Sequence, residues 1–271
     1  MASVNFGATL DGLRRSVTEA DPAAGALVTR AVERYRAPVR VQVTGRAGVG
    51  RSAVVAALGP TVGVEVVETA AWDVPGADDP ALTAEVVVLV TCDPPRRADV
   101  AAASVAGERG LAVLNKVDTV ADPAAATERA ASVLGAPCLP VSARRGGALT
   151  TAADGVDEMR TAVLERIASV RSARAAALMA GLRALTGTAD VRDAVEAYLA
   201  GDEALAVAVA AIHPSERTAA PEALPDDPGL ALRRARAWRG RMNGGFGACS
   251  TRAALALHRQ AVREWVRGDV R

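Results

Sequence analysis

The sequence predicts an α/β protein: a doubly wound, mostly parallel sheet with flanking N-terminal helices and an α-helical C-terminal region. Three observations carry this expectation. Residues 85–92, 111–114 and 138–141 are nearly continuous apolar runs, the pattern of strands covered on both faces. Alanine-rich stretches with helical spacing, 99–107 and 123–134, separate them, so the order is β-α-β-α-β. Beyond about Gly147 the strand signals cease and only helical periodicity remains.

Taken in order, residues 8–36 place Leu10, Leu13, Val17, Leu27, Val28, Val32 and Tyr35 at helix-like intervals. Asp21-Pro22 interrupts them as an N-cap followed by a first-turn proline, which predicts two helices. Pro38 stops that pattern, and residues 39–43 alternate as a short strand before a glycine-rich turn. After the sheet, Val156, Met159, Val163, Ile167 and Val170 line one helical face, followed by Leu178, Leu182 and Leu185. Further helices are expected near 190–212, 228–240 and 250–267, with the four prolines of 214–228 marking a surface loop. The expected division is an N-terminal helical segment (1–37), an α/β domain (38–150) and a helical region (151–271).

Composition narrows the chemistry. The 271 residues are 50% hydrophobic and 23% charged, enough apolar content for a sizeable core and too much for a disordered chain. Net charge is +1, so no global field recruits nucleic acid or anionic lipid, and no aromatic-interleaved basic surface suggests nucleic acid. The first ten residues lack the charged flank and apolar stretch of a secretory signal, and no apolar run approaches membrane-spanning length. A cytoplasmic protein is expected, with possible contact at a membrane periphery. Three scattered cysteines argue for reduced thiols, and two histidines for chemistry not built on imidazole.

Two segments stand out as chemistry. Gly45-Arg46-Ala47-Gly48-Val49-Gly50-Arg51-Ser52 follows a strand and opens a helix, the setting of a phosphate-binding loop. Its glycines let backbone N–H groups turn inward, the helix N-terminus that continues into Ala53 adds partial positive charge, and the Ser52 hydroxyl is a ligand for Mg²⁺. An ordinary strand-to-helix turn is the plainer alternative. The second segment, Asn115-Lys116-Val117-Asp118, ends a strand and contains the only lysine of the chain. A fixed Asp118 carboxylate accepts from both N1–H and the exocyclic amine of guanine, a paired donor face that adenine lacks. The apolar stem of Lys116 suits the face of the base while its ammonium braces the phosphate loop. The plainer alternative is a polar turn capping the next helix.

With these residues in this order, the chain resembles the translation-factor-related GTPases, most closely the Era-like and bacterial dynamin-like groups. Asp73-Val74-Pro75-Gly76 is similar to their Asp-x-x-Gly segment, and Ser142-Ala143-Arg144 to their Ser-Ala-Lys loop. The resemblance implies GTP or GDP with Mg²⁺ as ligands. It implies that Asp73 holds Mg²⁺ through water, that the Gly76 amide meets the γ-phosphate, and that the Ala143 amide contacts guanine O6. The four motifs cover about residues 39–145.

Two departures set expectations for activity. Arg51 stands where that loop has lysine, and its planar fork is wider than a compact ammonium. Only 21 positions separate Ser52 from Asp73, yet the resemblance requires a helix and two strands there, with a switch threonine for which Thr61 is the one candidate. Nucleotide binding with slow hydrolysis is therefore expected, Arg51 and Thr61 being the candidate catalytic groups. The nucleotide state would govern how the helical region meets a protein partner. The alternative is a pseudo-GTPase serving an active paralogue as a structural or regulatory subunit; an ATP-using P-loop protein is a third option. Arg233, Arg234, Arg236, Arg239 and Arg241 around Trp238, followed by a glycine-rich turn, suit either a solvated helix face or a hairpin touching lipid or protein.

Overall fold

The computed structural model describes residues 9–143, 154–213, 230–242 and 248–267. Arg144, the 214–228 loop and the 243–247 glycine-rich turn lie outside the described residues. The chain divides into two compact units, Pro38–Val170 and the pair of segments Met1–Ala37 and Arg171–Arg271.

The first unit is built on strands β1 (Val39–Thr44), β2 (Val64–Glu68), β3 (Val86–Thr91), β4 (Gly110–Asn115) and β5 (Cys138–Val141). All pairs are parallel and the strand order is β2-β1-β3-β4-β5. Helices α3 (Arg51–Leu58), α4 (Arg97–Ala106) and α5 (Pro123–Leu134) connect them, and α6 (Val156–Leu185) follows β5. Side chains alternate across the sheet. Val39, Val41 and Val43 of β1, Val86, Val88 and Val90 of β3, and Leu111 and Val113 of β4 pack against Val54 of α3 and Val156, Met159, Val163 and Ile167 of α6. On the other face, Val87, Leu89, Ala112 and Leu114 pack against Ala102 and Ala106 of α4 and Ala126, Ala130 and Leu134 of α5. Two covered faces explain why β3 reads as an unbroken apolar run: all six of its residues are buried.

β1 departs from this pattern at Gln42 and Thr44, both buried. The connection from β2 to β3 contains no helix, and these two polar side chains hold it down. Gln42 Oε1 accepts from the Ala84 amide (2.8 Å) while Nε2 donates to the Ala81 carbonyl (3.1 Å). Thr44 Oγ1 accepts from Trp72 Nε1 (2.7 Å) and from the Thr69 hydroxyl (2.9 Å). Each buried polar group is thus satisfied.

The expectation of two strands between Ser52 and Asp73 is corrected. The segment holds α3, a tight turn and β2 alone, which pairs parallel with β1 in the register Val43 to Glu68. With eight residues in the helix and five in the strand, the remainder makes only connections.

In the second unit, α1 (Leu10–Ala20) and α2 (Pro22–Arg36) lie with the later half of α6, α7 (Ala189–Ala200), α8 (Asp202–Ala210), α9 (Leu230–Met242) and α10 (Ala248–Arg267). The break at Asp21 is the expected one: its carboxylate accepts from the amides of Ala23 (2.8 Å) and Ala24 (3.1 Å), and Pro22 opens the helix. Leu10, Leu13, Val17, Val28 and Val32 share one core with Leu178, Leu182, Val191, Val195 and the fully buried Tyr198. No described helix is long and apolar enough to cross a membrane.

Candidate nucleotide site

In this strand order the chain leaves β1 toward β2 and then passes to β3 on the other side, so a crevice opens beyond the C-terminal ends of β1 and β3. The 45–52 segment fills the β1 side of it. Gly45 (φ +147°) passes so close to β3 that a Cβ there would strike the Val90 carbonyl. Gly50 (φ +94°) is the N-cap of α3, and no side chain caps the helix. The first-turn amides therefore carry the open positive end of the helix dipole.

The loop after β4 grips this turn. Asn115 is 1% exposed, and both ends of its amide are used: Nδ2 donates to the Val49 carbonyl (2.9 Å) and Oδ1 accepts from the Ala143 amide (3.0 Å). Lys116 adopts a left-handed backbone (φ +63°), which turns its ammonium back to donate to the Gly48 carbonyl at 2.7 Å. Asp118, exposed in a short turn, accepts from the Ser142 hydroxyl at 2.7 Å. The loops after β1, β4 and β5 are thereby joined through four side-chain hydrogen bonds.

At this junction lies a cavity of about 370 Å³ whose lining includes Gly48, Gly50, Ser52, Ala53, Asn115, Lys116 and Ala143 but not Asp118. That volume suits a small polar ligand. Arg51 and Glu68 complete the lining. Arg51 Nη1 donates to the Thr69 carbonyl (2.7 Å), and its Nε lies 3.7 Å from Glu68 Oε1. The same Oε1 accepts from the Ser52 hydroxyl at 3.1 Å.

The remaining sequence-derived residues are placed elsewhere. Asp73 is exposed, has a left-handed backbone (φ +59°) and takes the Asp79 carboxylate on its amide (3.0 Å). Gly76 follows in the same exposed loop, and neither residue lines the cavity. Thr61 sits before the start of β2, whose Val64 pairs with Val39 at the start of β1. It is therefore at the N-terminal ends of the strands, roughly 15 Å from the glycine turn at their C-terminal ends. Val49 contributes its carbonyl to Asn115, while its side chain is in the core.

Sequence reasoning missed Glu68, which is the carboxylate that touches Ser52. Its position opposite Ser52 depends on the register of β2 against β1, for which the residues carry no local signal. Also missed was Arg46, whose Nε donates to both Asp99 carboxylate oxygens (3.0 and 2.9 Å), with Asp99 fully enclosed. The Arg96 amide completes the Asp99 shell at 2.8 Å, so the pair pins the glycine turn to the first turn of α4. Cys92, just past β3, borders the same turn with its sulfur 3.7 Å from the Val49 carbonyl. Burial pushes its thiol above the ordinary value, against a smaller opposing pull from Lys116 and Arg46.

Magnesium finds a poor donor set here. Among the described residues that line the cavity Glu68 is the one carboxylate, and the Arg51 guanidinium already lies beside it. Among the described residues no group of three or more His, Cys, Asp or Glu side chains gathers around one point. No protein-family model matches the chain, and no curated protein matches it.

Proposed function

We propose that this protein binds a guanine nucleotide in the crevice between the 45–52 turn and the 115–118 loop, and that it does so without rapid turnover. The observation that carries this reading is the double grip of Asn115 and Lys116 on the Val49 and Gly48 carbonyls. It joins the 115–118 loop directly to the turn that opens α3, and both contribute to the lining of one cavity. A phosphate chain would meet the amides of the α3 N-terminus. The base would lie along the Lys116 stem with its N1–H and amine toward Asp118, which Ser142 orients. A fixed acceptor pair of this kind rejects adenine, whose corresponding edge would leave the carboxylate facing an acceptor.

Titration calorimetry of the whole chain with GDP, GTP and ATP tests the reading. Guanine nucleotides are expected to bind and ATP to bind at least tenfold more weakly, a difference of about 1.4 kcal/mol or more. The Asp118→Asn variant is expected to lose GDP and gain xanthosine diphosphate, since an amide offers a donor to the second carbonyl of xanthine. Preference for ATP, or no guanine-nucleotide binding, would overturn it.

A second reading, a pseudo-GTPase that serves as a structural or regulatory subunit, is favoured by the commitment of Arg51 to Thr69 and Glu68 and by the distance of Thr61. It predicts binding with no phosphate release, whereas slow release identifies a weak GTPase. In both readings the protein works in the cytoplasm, and its helical unit meets a protein partner.

A further inference from the structure

We infer that the nucleotide is held without a divalent cation, with the Arg51 guanidinium supplying the positive charge beside Ser52 and Glu68; this rests on the guanine-nucleotide reading above.

The donor set is the starting point. A magnesium ion at a phosphate-binding loop is held by the serine hydroxyl that opens the helix and by a nearby carboxylate, directly or through water. Here the hydroxyl of Ser52 and the carboxylate of Glu68 do stand together, at 3.1 Å. The carboxylate, however, has a resident cation. Arg51 Nε lies 3.7 Å from the oxygen that Ser52 also uses, and Nη1 is anchored at 2.7 Å to the carbonyl of the next residue, Thr69. The Arg51 side chain is 14% exposed and that of Glu68 32%, so solvent screens their attraction in part. A dication entering this place would compete with the guanidinium for one carboxylate and would be repelled by it.

Chemistry explains why arginine does this and lysine would not. An ammonium is a compact charge that follows a phosphate, whereas a guanidinium is a planar fork with donors on several sides. The Nη1 and Nε contacts fix the fork against the end of β2 while Arg51 still lines the cavity. A guanidinium carries further N–H groups beyond these two contacts, and they are the donors a phosphate in this cavity would use. With the Lys116 ammonium held at the Gly48 carbonyl, the cavity would meet the phosphates with two fixed cations and the open helix terminus.

Fluorescent GDP is titrated into the full chain in excess EDTA and again in excess magnesium chloride. Wild type is expected to bind with affinities that agree within about threefold. In Arg51→Lys, which releases Glu68 from the fork, magnesium is expected to tighten binding by about tenfold or more. A wild-type chain that binds GDP at least about tenfold more tightly with magnesium overturns this inference and leaves the nucleotide reading standing. A wild-type chain that binds no GDP under either condition overturns both. If Arg51→Lys folds, as judged by circular dichroism, and remains indifferent to magnesium, the role assigned to Arg51 is overturned. If it does not fold, the wild-type pair of titrations decides alone.

Discussion

Asn115 shows how much one side chain does at the candidate site. Replacing it with alanine removes the partner of the Ala143 amide and leaves the Val49 carbonyl only the weak Cys92 thiol, at a cost of about 1–3 kcal/mol. Gly50 has the complementary constraint. A Cβ at φ +94° would collide with the Asn115 amide, so Gly50→Ala is expected to push that side chain off Val49. A urea melt should show a loss of about 1–3 kcal/mol, and GDP affinity should fall with it; a neutral result would mean the grip is dispensable. Cys138 gives a pH-dependent test. Burial raises its thiol to about 11 from an ordinary value of 9.0, so the folded state keeps the proton that the unfolded chain gives up first. Its stabilising effect is therefore full below about pH 9 and declines as pH rises toward 11. Cys138→Ala is expected to show a shallower loss of stability across that window in denaturant melts. At this scale the sequence was legible where a residue type is rare. Lys116 is the only lysine, and its motif stands out. Glu68 was illegible because one carboxylate at the end of a short strand looks like any solvated residue, and Asp73-x-x-Gly76 offered a more familiar pattern.

The elements themselves were read from periodicity, and the best-read ones are those with the most burial. β3, enclosed on every residue, stood out as a continuous run, whereas β2 is an edge strand with only half-buried apolar positions and no such run. The number of strands before Asp73 was misjudged for a related reason: pattern comparison supplied a second strand that the short segment has no residues to build. Caps were more dependable because their chemistry is local. Asp21, read as a cap, accepts two amides of α2; Asp122, which sequence reasoning missed, likewise accepts the Ala125 amide of α5 at 3.0 Å. Asp21→Ala and Asp122→Ala are each expected to cost about 1 kcal/mol in thermal or urea unfolding. Changes well below that would mean that packing, and not the cap, sets these helix starts. Arg36 and Asp11 provide a contrast. Their hydrogen bond holds the Asp11 carboxyl below its usual value, but both groups are about half exposed, so Arg36→Ala is expected to change stability little.

At the scale of the molecule, the helices that flank the sheet unit in sequence belong to one core. Leu13, Val17 and Val32 from the start of the chain meet Leu182, Val191 and Val195 from beyond residue 170. The Leu10 amide even donates to the Glu203 carboxylate at 2.8 Å. Sequence periodicity showed that both segments were helical and amphipathic, but not that each supplies the surface the other covers. Deleting residues 1–37 is accordingly expected to abolish hydrogen-exchange protection of amides across α7 and α8 while leaving β3 and β4 protected. Unchanged protection of α7 and α8 would show that the later helices hold together alone. This pairing also has a consequence for biosynthesis. As the chain leaves the ribosome, α1 and α2 emerge before the strands and must wait, their valines and leucines wet, until a whole intervening sheet has been made. This helix pair is thus made before the sheet and can be buried only after it, a window in which a chaperone that recognises exposed aliphatic helices would find its substrate.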